Sequence, residues 1–351
     1  MKIAIDRMNL LRPLGHVSSV VERRNTIPIL ANIVLRAESS KLSLTATDMD
    51  MDIMTELDCS VIQEGSCTVP AHLLNDIIRK LPDGSEVSIH VSDGNAQISA
   101  GRSSFKVPTL PVDDFPAFNT SDLPVKFILT TADLRHQIDM TRFAISTEET
   151  RYYLNGIYFH KSDSGALAAV ATDGHRLALA RIDMPQGAET MPEIILPRKA
   201  VGELRKLLDN AEGEMHVSLS ETRAEFAFGS ARLTSKLIDG SFPDYTRVIP
   251  EGNDKILTVD RSLFSSAVDR VSTISSEKSR SVKLAVSGTT LTLSASNPDA
   301  SSATEELEVT YSGDDIEIGF NARYLLEIAQ QIEGSTPGDE DNLFVLMPMR
   351  V

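Results

Sequence analysis

The sequence contains no tryptophan and only two cysteines, Cys59 and Cys67, among its 351 residues. Two thiols eight residues apart in an otherwise cysteine-free chain predict reduced cytosolic cysteines rather than a disulfide framework or a zinc site. No apolar run approaches the ~18 residues that a membrane helix requires. The opening residues, MKIAIDRMNLLR, carry an acid at Asp6 and lack an apolar core, so we expect no signal peptide and a cytoplasmic protein.

Positive charge is also scarce, with 34 Lys and Arg against 50 Asp and Glu, which gives a net charge of −16. Taken alone, this balance argues against nucleic-acid binding, because contacts to phosphates need a basic surface. The sum does not show where the charges lie, so their sign has to be examined locally. The hydrophobic fraction of 41% is typical of a folded globular protein, and the length predicts two or three domains.

The sequence repeats itself three times. The segments LSLTATDMD (42–50), LAAVATDGH (167–175) and LTLSASNPD (291–299) place Ala46, Ala171 and Ala295 at equivalent positions, 125 and 124 residues apart. Each segment alternates apolar and polar residues and then ends in turn formers, which predicts a strand that runs into a loop. Such a period is too long for a solenoid repeat and matches one domain per copy.

Two predicted helices recur at the same spacing. One opens each repeat near Asp6, Thr131 and Asp260, and the second starts at Pro70, Pro197 and Asn321. Pro13 interrupts the first pattern and predicts that this helix starts late or kinks. Helices alternating with antiparallel hairpins predict an α+β fold of three repeated domains. Turn-rich stretches place the domains, called here the first, second and third repeats, at 1–123, 124–253 and 254–351.

The helices carry more positive charge than the chain as a whole. Net charges are +2 for residues 5–25, +1 for 70–82 and +2 for 197–209, against 0 for 259–272 and −1 for 321–334. Two interpretations remain open. Either these are ordinary surface helices of mixed charge, or the helices share one face toward a polyanion while acidic strands and loops face away.

Two motifs resemble catalytic ones. Asp48, Asp50 and Asp52 form a DxDxD pattern that could bind Ca²⁺ or Mg²⁺, but the sixth position of an EF-hand loop requires Gly and here is Ile53. The segment TDGHR (172–176) could supply a His–Asp general base, although no hydrolase, P-loop or dinucleotide motif accompanies it. The alternatives are a solvated strand face and a polar turn or recognition loop.

Two further segments point to binding. Tyr152 and Tyr153 are either aromatics that stack on DNA or two core residues that start a strand. The final residues, LFVLMPMRV, are apolar to the end, whereas chain termini are normally polar. They form either a last core strand or one wall of a peptide groove, for which methionine is well suited.

The sequence closely resembles the bacterial DNA polymerase III β subunits, the family of replicative sliding clamps. The resemblance runs from Met1 to Val351 and rests on RRNTIPIL, TATDMDMD, FAISTEETRYYLNG, ATDGHRLA, PRKAVGELRKLL, TSKLIDGSFPDY, TEELEV, IGFNARYLLEI and VLMPMR. It implies a head-to-tail homodimer that forms a ring around duplex DNA, with helices inside and sheets outside. It further implies a non-catalytic processivity factor that tethers the polymerase, the clamp loader and other proteins with clamp-binding motifs.

The resemblance also implies roles for individual residues, with no catalytic residue, metal or cofactor. The residues it implies to face DNA are Arg24, Arg79, Tyr152 and Tyr153. Glu148 stands where some members have a neutral polar residue, so we do not count it as a contact. Ser279 stands where some members have an aromatic residue at the rim of the pocket. The implied partner-peptide pocket is lined by Leu154, Thr172, Gly174, His175, Arg176, Leu177, Pro243, Arg247, Val248, Asn321, Tyr324, Val345, Leu346, Met347, Pro348, Met349, Arg350 and Val351.

Two rival functions remain open. The first is a metal-dependent phosphodiesterase or nuclease that uses Asp48, Asp50 and Asp52, and it predicts a turnover that depends on divalent metal. The second is a repeat scaffold that binds proteins but no DNA.

The third repeat is about 12 residues short. Pro70 to Leu110 and Pro197 to Leu237 are both 40 residues, whereas Asn321 to Met349 is only 28, and the shortage lies between Gly334 and Leu343. The first two repeats hold a hairpin there, EVSIHVSDGNAQISA (86–100) and MHVSLSETRAEFAFG (215–229). Either the shortening is natural, or the numbering omits a mobile segment. We favour the omission, which predicts a chain break between Ile332 and Asn342.

Charge complementarity predicts where two copies meet. The expected seam joins a basic edge of the first repeat to an edge of the third repeat that is largely acidic. The basic edge is formed by Arg79, Lys80, Arg102 and Lys106, and the opposing edge by Ile274, Glu305, Glu306 and Glu308.

Overall fold

The computed structural model describes residues 1–116, 122–209, 211–275, 280–297, 301–332 and 341–350. The chain divides into two compact units, described separately below. The first comprises Met1–Arg135, His160–Gly165 and Asp183–Asp239, and the second comprises His136–Phe159, Ala166–Ile182 and Gly240–Val351. Within the described residues, no helix combines the length and the apolar character that crossing a membrane requires.

Each repeat contains two helices and a set of strands. The α-helices are α1 Arg7–Val20, α2 Ala71–Lys80, α3 Thr131–Thr141, α4 Arg198–Leu207, α5 Arg261–Ser272 and α6 Ala322–Gln331. The strands of the first repeat are β1 Lys2–Asp6, β2 Asn32–Glu38, β3 Lys41–Thr47, β4 Met51–Asp58, β5 Ser60–Gln63, β6 Gly65–Pro70, β7 Glu86–Ser92, β8 Asn95–Ala100 and β9 Ser103–Pro108.

The second and third repeats follow a similar order with fewer described strands. The strands of the second repeat are β10 Val125–Thr130, β11 Gly156–Lys161, β12 Leu167–Thr172, β13 Arg176–Ile182, β14 Ile194–Pro197, β15 Glu214–Leu219, β16 Arg223–Phe228 and β17 Ala231–Lys236. Those of the third repeat are β18 Leu257–Thr258, β19 Ser281–Ser287, β20 Thr290–Ser296, β21 Ser302–Glu308, β22 Thr310–Tyr311, β23 Ile316–Asn321 and β24 Asn342–Leu346.

The first compact unit contains two antiparallel sheets. One has the strand order β5-β1-β7-β8-β9, so β9 lies at its edge. The other has the order β10-β15-β16-β17-β4-β3-β2-β6 and joins the second repeat to the first through the β17–β4 pair. The inward residues of the predicted hairpins are buried, as in Val87, Ile89, Val217 and Phe226, which is the alternation that the sequence shows.

The second compact unit joins the second repeat to the third in the same way. Strand β13 pairs with β12 on one side and with β24 on the other, in antiparallel register. Apart from β24, the described strands of the third repeat form a sheet in the order β21-β20-β19-β23 and a short β18–β22 pair. Strand β21 therefore lies at a sheet edge. These contacts confirm the α+β fold with three repeated domains.

The helix starts agree with the sequence, with one correction. Helices α2, α4 and α6 begin directly after Pro70, Pro197 and Asn321, as predicted. Helix α1 does not start late: it begins at Arg7 and includes Pro13. The Asp6 carboxylate caps it by accepting from the backbone N–H groups of Met8 at 2.7 Å and Asn9 at 3.3 Å, so the start is fixed before the proline is reached.

Two other predictions concern the cysteines and the short repeat. Cys59 and Cys67 are both free, and burial raises the pKa of the Cys67 thiol to about 12, which keeps it unreactive. The predicted chain break between Ile332 and Asn342 falls on residues 333–340, which lie outside the described residues, so it stays a prediction.

Candidate functional site

The TDGHR loop is a tight turn that its own side chains hold in place. The Asp173 carboxylate accepts from the backbone N–H groups of His175 at 2.9 Å and Arg176 at 3.0 Å. The Thr172 hydroxyl donates to the Arg176 carbonyl at 2.6 Å. Asp173 therefore shapes the backbone, and its contact to His175 is to the main chain. This geometry favours a recognition loop over a His–Asp general base.

Gly174 allows a close approach by Arg151. Its φ is +86°, and a Cβ added there would lie 2.5 Å from an Arg151 guanidinium nitrogen. Arg151 in turn donates two hydrogen bonds to the Glu148 carboxylate, at 2.8 and 2.7 Å, which lower the pKa of Glu148. Glu148 thus has a partner on its own chain, which agrees with leaving it out of the expected DNA contacts.

Arg176 connects the loop to helix α6. Its buried guanidinium donates to Asp173 at 3.1 Å, to the Phe143 carbonyl at 2.5 Å, and to the Glu327 carboxylate. The same group lies 4.4 Å above the centroid of the Tyr324 ring and 5.1 Å above that of Phe143. A buried cation needs such partners, because an unpaired one is costly. Arg176 therefore links the TDGHR loop to helix α6 and to the backbone at Phe143.

His175 and Tyr324 form an aromatic wall. Their ring centroids lie 6.4 Å apart with an interplanar angle of 21°. Tyr324 sits in the first turn of α6, whose N-terminus is capped by the Asn321 side chain accepting from the N–H of Arg323 at 3.0 Å. Asn321 therefore helps to hold the helix that carries Tyr324.

An apolar cluster supports the other side of the loop. Leu177 packs with Ala168, Val170, Leu179 and Tyr245, and partly buried residues complete the cluster: Tyr158, Phe242, Ile249, Leu343 and Val345. Tyr158 and Phe242 stack with centroids 4.7 Å apart. The sequence did not identify Phe242 or Tyr245 as pocket residues. The sequence feature that could have identified them is the segment FPDY (242–245), in which these two aromatic residues lie beside the predicted Pro243.

The C-terminal segment closes against the same loop. Val345 pairs with Leu177 in the β24–β13 ladder, and beyond it the N–H of Met347 donates to the His175 carbonyl at 2.9 Å. The N–H of Met349 donates to the Gly319 carbonyl at 2.7 Å. Residues 342–346 therefore form a last strand, and Met347 beyond it is 57% exposed. A wall of a peptide groove at Met347 stays a prediction, for which an exposed methionine is well suited.

All described residues of the predicted pocket lie in the second compact unit. Leu154 is buried, whereas Val248 is exposed and Arg247 pairs with Asp244 at 2.8 Å. Leu346 ends β24, and the exposed Pro348 and Arg350 flank Met349. The remaining two positions, Ser279 and Val351, lie outside the described residues. The sequence missed Phe143 and Glu327, which contact Arg176 from distant parts of the chain.

The DxDxD motif is not arranged as a metal site. Asp48 accepts from two backbone N–H groups of its own turn and pairs with Lys199, and Asp50 pairs with Lys236 at 3.0 Å. Burial raises the pKa of Asp52, which disfavours the carboxylate that a metal would need. Among the residues described, no group of three or more His, Cys, Asp or Glu side chains could hold a metal ion.

The predicted DNA-facing residues differ in their surroundings. Arg24 is exposed, and Arg79 at the end of α2 pairs with Asp76 at 2.9 Å, an exposed contact worth little. Tyr152 is 54% exposed in a short 3₁₀ helix, and its ring meets Tyr153 edge-on at 5.8 Å. These aromatics do not start a strand, since β11 begins only at Gly156. Tyr152 is therefore exposed beside a half-buried Tyr153, and stacking on DNA stays a prediction for this pair.

Comparisons with known proteins agree with this organisation. Three family models match in succession: the N-terminal, central and C-terminal domains of the DNA polymerase III beta subunit, over residues 1–119, 128–244 and 246–336. The beta sliding clamp of Caulobacter vibrioides is 52% identical and that of Escherichia coli K12 is 37% identical, each with full coverage of both chains.

Solved structures give the same result. A sliding clamp from Bartonella birtlesii bound to griselimycin matches with a TM-score of 0.97 and 47% identity, covering all of both chains. A Caulobacter crescentus clamp with polyethylene glycol at its putative beta-motif tethering region matches with a TM-score of 0.96 and 51% identity, covering all of this chain and 99% of the other. The chain therefore belongs to the DNA polymerase III beta subunit family, the beta sliding clamps.

Proposed function

We propose that two copies of this chain join head to tail into a ring that encircles duplex DNA in the cytoplasm. The ring tethers the replicative polymerase, the clamp loader and other proteins that carry clamp-binding motifs. The observation that carries this proposal is the repetition of one seam. Strand β17 of the second repeat pairs with β4 of the first, and β24 of the third repeat pairs with β13 of the second.

The same seam can form once more between copies. The counterpart of β17 and β24 in the first repeat is β9, and the counterpart of β4 and β13 in the third repeat is β21. Both are edge strands among the described sheets. Two copies that pair β9 with β21 of the partner subunit satisfy both edges, and the two-fold arrangement closes.

The repeat register gives the expected pairing. Leu233 on β17 pairs with Phe226 on β16 and, across the seam, with Ile53 on β4. In the first repeat Phe105 on β9 pairs with Ile98 on β8, so Phe105 is the counterpart of Leu233. On the other side of the seam, Ile53 pairs with Ala46, and in the third repeat Ala303 pairs with Ala295. Because Ala46 and Ala295 are equivalent, Ala303 is the counterpart of Ile53. We therefore expect Phe105 to lie opposite Ala303 of the partner subunit. Phe105 is 37% exposed in the single chain, whereas Leu233 is fully buried.

The charges along this seam agree with the predicted edges. Arg102 and Lys106 are exposed at β9, and Glu306 and Glu308 are exposed on β21. Glu305 differs, because its carboxylate already accepts from Arg270 at 2.5 and 3.0 Å within its own repeat. We therefore expect Glu306 and Glu308 to supply most of the electrostatic attraction to the basic edge of the partner subunit.

Helices give a second part of the seam. In the first compact unit, α1 packs beside α4, and the Arg12 guanidinium donates to the Asp209 carbonyl at 2.7 Å. By the same repetition, α5 of the partner subunit would lie beside α2. This places Ile274, two residues after α5, near Arg79 and Lys80 at the end of α2.

The partner pocket and the DNA contacts complete the proposal. The pocket combines apolar walls with a few oriented polar groups, as short-peptide sites do. The phosphodiesterase alternative is not favoured, since Asp48 and Asp50 are held by lysines and the family is a polymerase subunit. We infer a non-catalytic role for the chain.

Retention on circular DNA tests the proposal. The clamp is loaded by its clamp loader onto nicked circles, separated from free protein, and incubated before and after the circle is cut at one site. We expect loss only after cutting, because a ring slides off a free end. Blocking both ends of the linear product with bound protein is the matched control and should restore retention. Persistent binding to linear DNA with open ends would rule out encirclement.

A further inference from the structure

A cleft lies between the first and second repeats, within the first compact unit. It is bounded by helix α1 and strand β4 of the first repeat, and by the end of α4 and the β16–β17 turn of the second. Its volume of about 330 Å³ is at the lower end of the range for small-molecule sites. All of its lining residues are among those that the structure describes. None of the residues assigned above to the peptide pocket, to DNA or to the seam between copies lines it.

The cleft combines an apolar interior with a polar mouth. Val17, Ile53 and Ala211 line it and are buried, and the half-buried ring of Phe228 lines it as well. Arg12, which is exposed, is the one fully charged side chain among the described lining residues. Apolar walls with a few placed polar groups are typical of sites for small molecules.

Arg12 and His16 have hydrogen-bond donors available at this mouth. The Arg12 guanidinium donates to the Asp209 carbonyl at 2.7 Å, and a guanidinium has five N–H donors in all. The half-buried His16 ring has no hydrogen-bond partner in the described part of the chain. Burial and the nearby Arg12 charge lower the pKa of His16, so its imidazole is neutral at pH 7 and can donate from one nitrogen.

The carboxylates closest to His16 already have partners of their own. Glu203 pairs with Lys206 at 2.8 Å, and Asp209 pairs with Arg205 at 2.5 Å. Their negative charge is therefore largely balanced on α4 itself, and the charge of Arg12 stays available to a ligand.

The equivalent place in the second compact unit is closed by a pair of side chains. Counted from the starts of α1 and α3, His136 is the counterpart of Arg12. In the strand ladders, Asn342 on β24 is the counterpart of Ala231 on β17. The His136 ring nitrogen and the Asn342 amide oxygen form a hydrogen bond of 3.0 Å. The methyl group of Ala231 cannot form such a bond with Arg12, so the first unit keeps a cleft here.

A second difference has the same effect. Gln137 is the counterpart of Pro13, and it is fully buried. Its amide donates to the Leu167 carbonyl at 2.9 Å and to the Ala180 carbonyl at 3.4 Å, which fastens α3 to the strands beneath it. Pro13 has no side-chain donor and lines the cleft instead. The cleft therefore follows from residues that differ between otherwise equivalent repeats.

We propose that this cleft binds a small organic anion with an apolar body, such as an aryl carboxylate. The carboxylate accepts from Arg12 and His16 at the mouth, and the aromatic ring packs against Val17, Ile53 and Phe228. Hydrogen bonds from a cationic donor to a carboxylate are stronger than those between neutral groups, which favours the anion over its neutral analogue. A bound ligand contacts both repeats and thereby stabilises the folded unit that contains them.

Methyl NMR of the full-length clamp tests the site. The probe is naphthylacetate, and the matched control is the neutral naphthylacetamide, which has the same apolar body. We expect saturable shifts of the Val17 and Ile53 methyl signals, with a dissociation constant of about 1 mM or tighter for the acid. The amide should bind about tenfold more weakly, because it lacks the charge that Arg12 recognises.

Variants of the clamp separate the charge from the shape of the cleft. Arg12→Gln should weaken the acid about tenfold and leave the amide unchanged. Arg36→Gln, at an exposed arginine on β2, is the control and should change neither. The double variant Arg12→His with Ala231→Asn reproduces the pair that closes the second unit, so it should fold and lose the shifts for both compounds.

Several outcomes would overturn the proposal. They are the absence of saturable shifts, equal affinity for acid and amide, and unchanged binding by the double variant. Shifts confined to the methyl groups of Leu177 and Val345 would place the probe in the cluster behind the partner-peptide pocket and would also overturn it.

Discussion

Arg176 shows how one residue can organise a site without lining its open surface. It is 8% exposed, and it draws together a loop, the Phe143 carbonyl and helix α6. Burial works against the ionisation of Glu327, but hydrogen bonds from Arg323 and Arg176 outweigh this effect and lower its pKa. Glu327 thus remains the counter-ion of Arg176 and indirectly fixes Tyr324.

Replacing Glu327 by Gln should therefore destabilise the second compact unit by about 1 kcal/mol, since a neutral amide forms weaker hydrogen bonds with Arg176. Because the pKa of Glu327 is lowered, its contribution is complete above the ordinary value of 4.5 and is lost as pH falls through the lower folded-state pKa.

Urea titrations of both proteins from neutral to acidic pH measure this effect. The difference in unfolding free energy should stay constant above about pH 4.5 and shrink below it. Glu317→Gln is the control, because Glu317 pairs with Lys283 in an exposed contact at 2.9 Å and should cost little. A difference that is absent at neutral pH, or that grows on acidification, would contradict this role.

An Asp or Asn side chain has the same structural role in all three repeats. Asp48, Asp173 and Asn297 each follow the alternating strand by the same interval, and each accepts from a backbone N–H a few residues later, at 2.7, 3.0 and 3.3 Å. A motif that suggested a metal ligand in one repeat is thus a side chain that accepts from the backbone in every repeat. The repetition itself was the signal, because a catalytic acid has no reason to recur in every copy.

At the scale of elements, the proposed function depends on the C-terminal segment and the edge strands. Deleting Met347–Val351 removes the backbone bond from Met347 to His175 and the exposed Met347 side chain, but it leaves β24 intact. We expect polymerase-peptide binding to weaken by about 2 kcal/mol or more while the dimer persists. Isothermal titration and sedimentation velocity measure the two properties, and unchanged peptide affinity would refute the pocket.

The seam between copies is tested at strand β9. Reversing the charge of Arg102 and Lys106 to Glu should raise the monomer fraction, because two acidic edges then face each other. Phe105→Ser should act in the same direction through lost apolar burial. Sedimentation over a dilution series measures both, and Asp93→Lys, in the exposed β7–β8 turn, is the control. A dimer indifferent to all these changes would place the seam elsewhere.

At the scale of the whole molecule, the net charge of −16 limits the electrostatic attraction between the protein and DNA. Even the basic helices are partly neutralised, since Lys199 pairs with Glu22 at 3.2 Å and Arg205 pairs with Asp209 at 2.5 Å. Attraction to phosphate is then weak and indifferent to sequence, and retention depends on topology.

Arg24→Ala and Arg79→Ala should each weaken loading modestly and equally for all DNA sequences. Each should lower the salt dependence by about one unit of the log–log slope if it removes one phosphate contact. Loading rates on circles of different sequence at several salt concentrations measure this effect. A sequence-selective loss, or no loss in either variant, would remove these residues from the DNA-facing surface.

The sequence by itself determined the three repeats, the α+β class, the hairpins and most helix starts, because these depend on periodicity and caps within a few residues. It also indicated the family, through motifs spread over all three repeats. Tertiary structure decided the rest, because it depends on distant residues meeting. Arg176 reaches Glu327 across 151 positions, and Lys199 neutralises Asp48 from another repeat. No local pattern encodes such encounters, and only the folded sheets show which edges remain open.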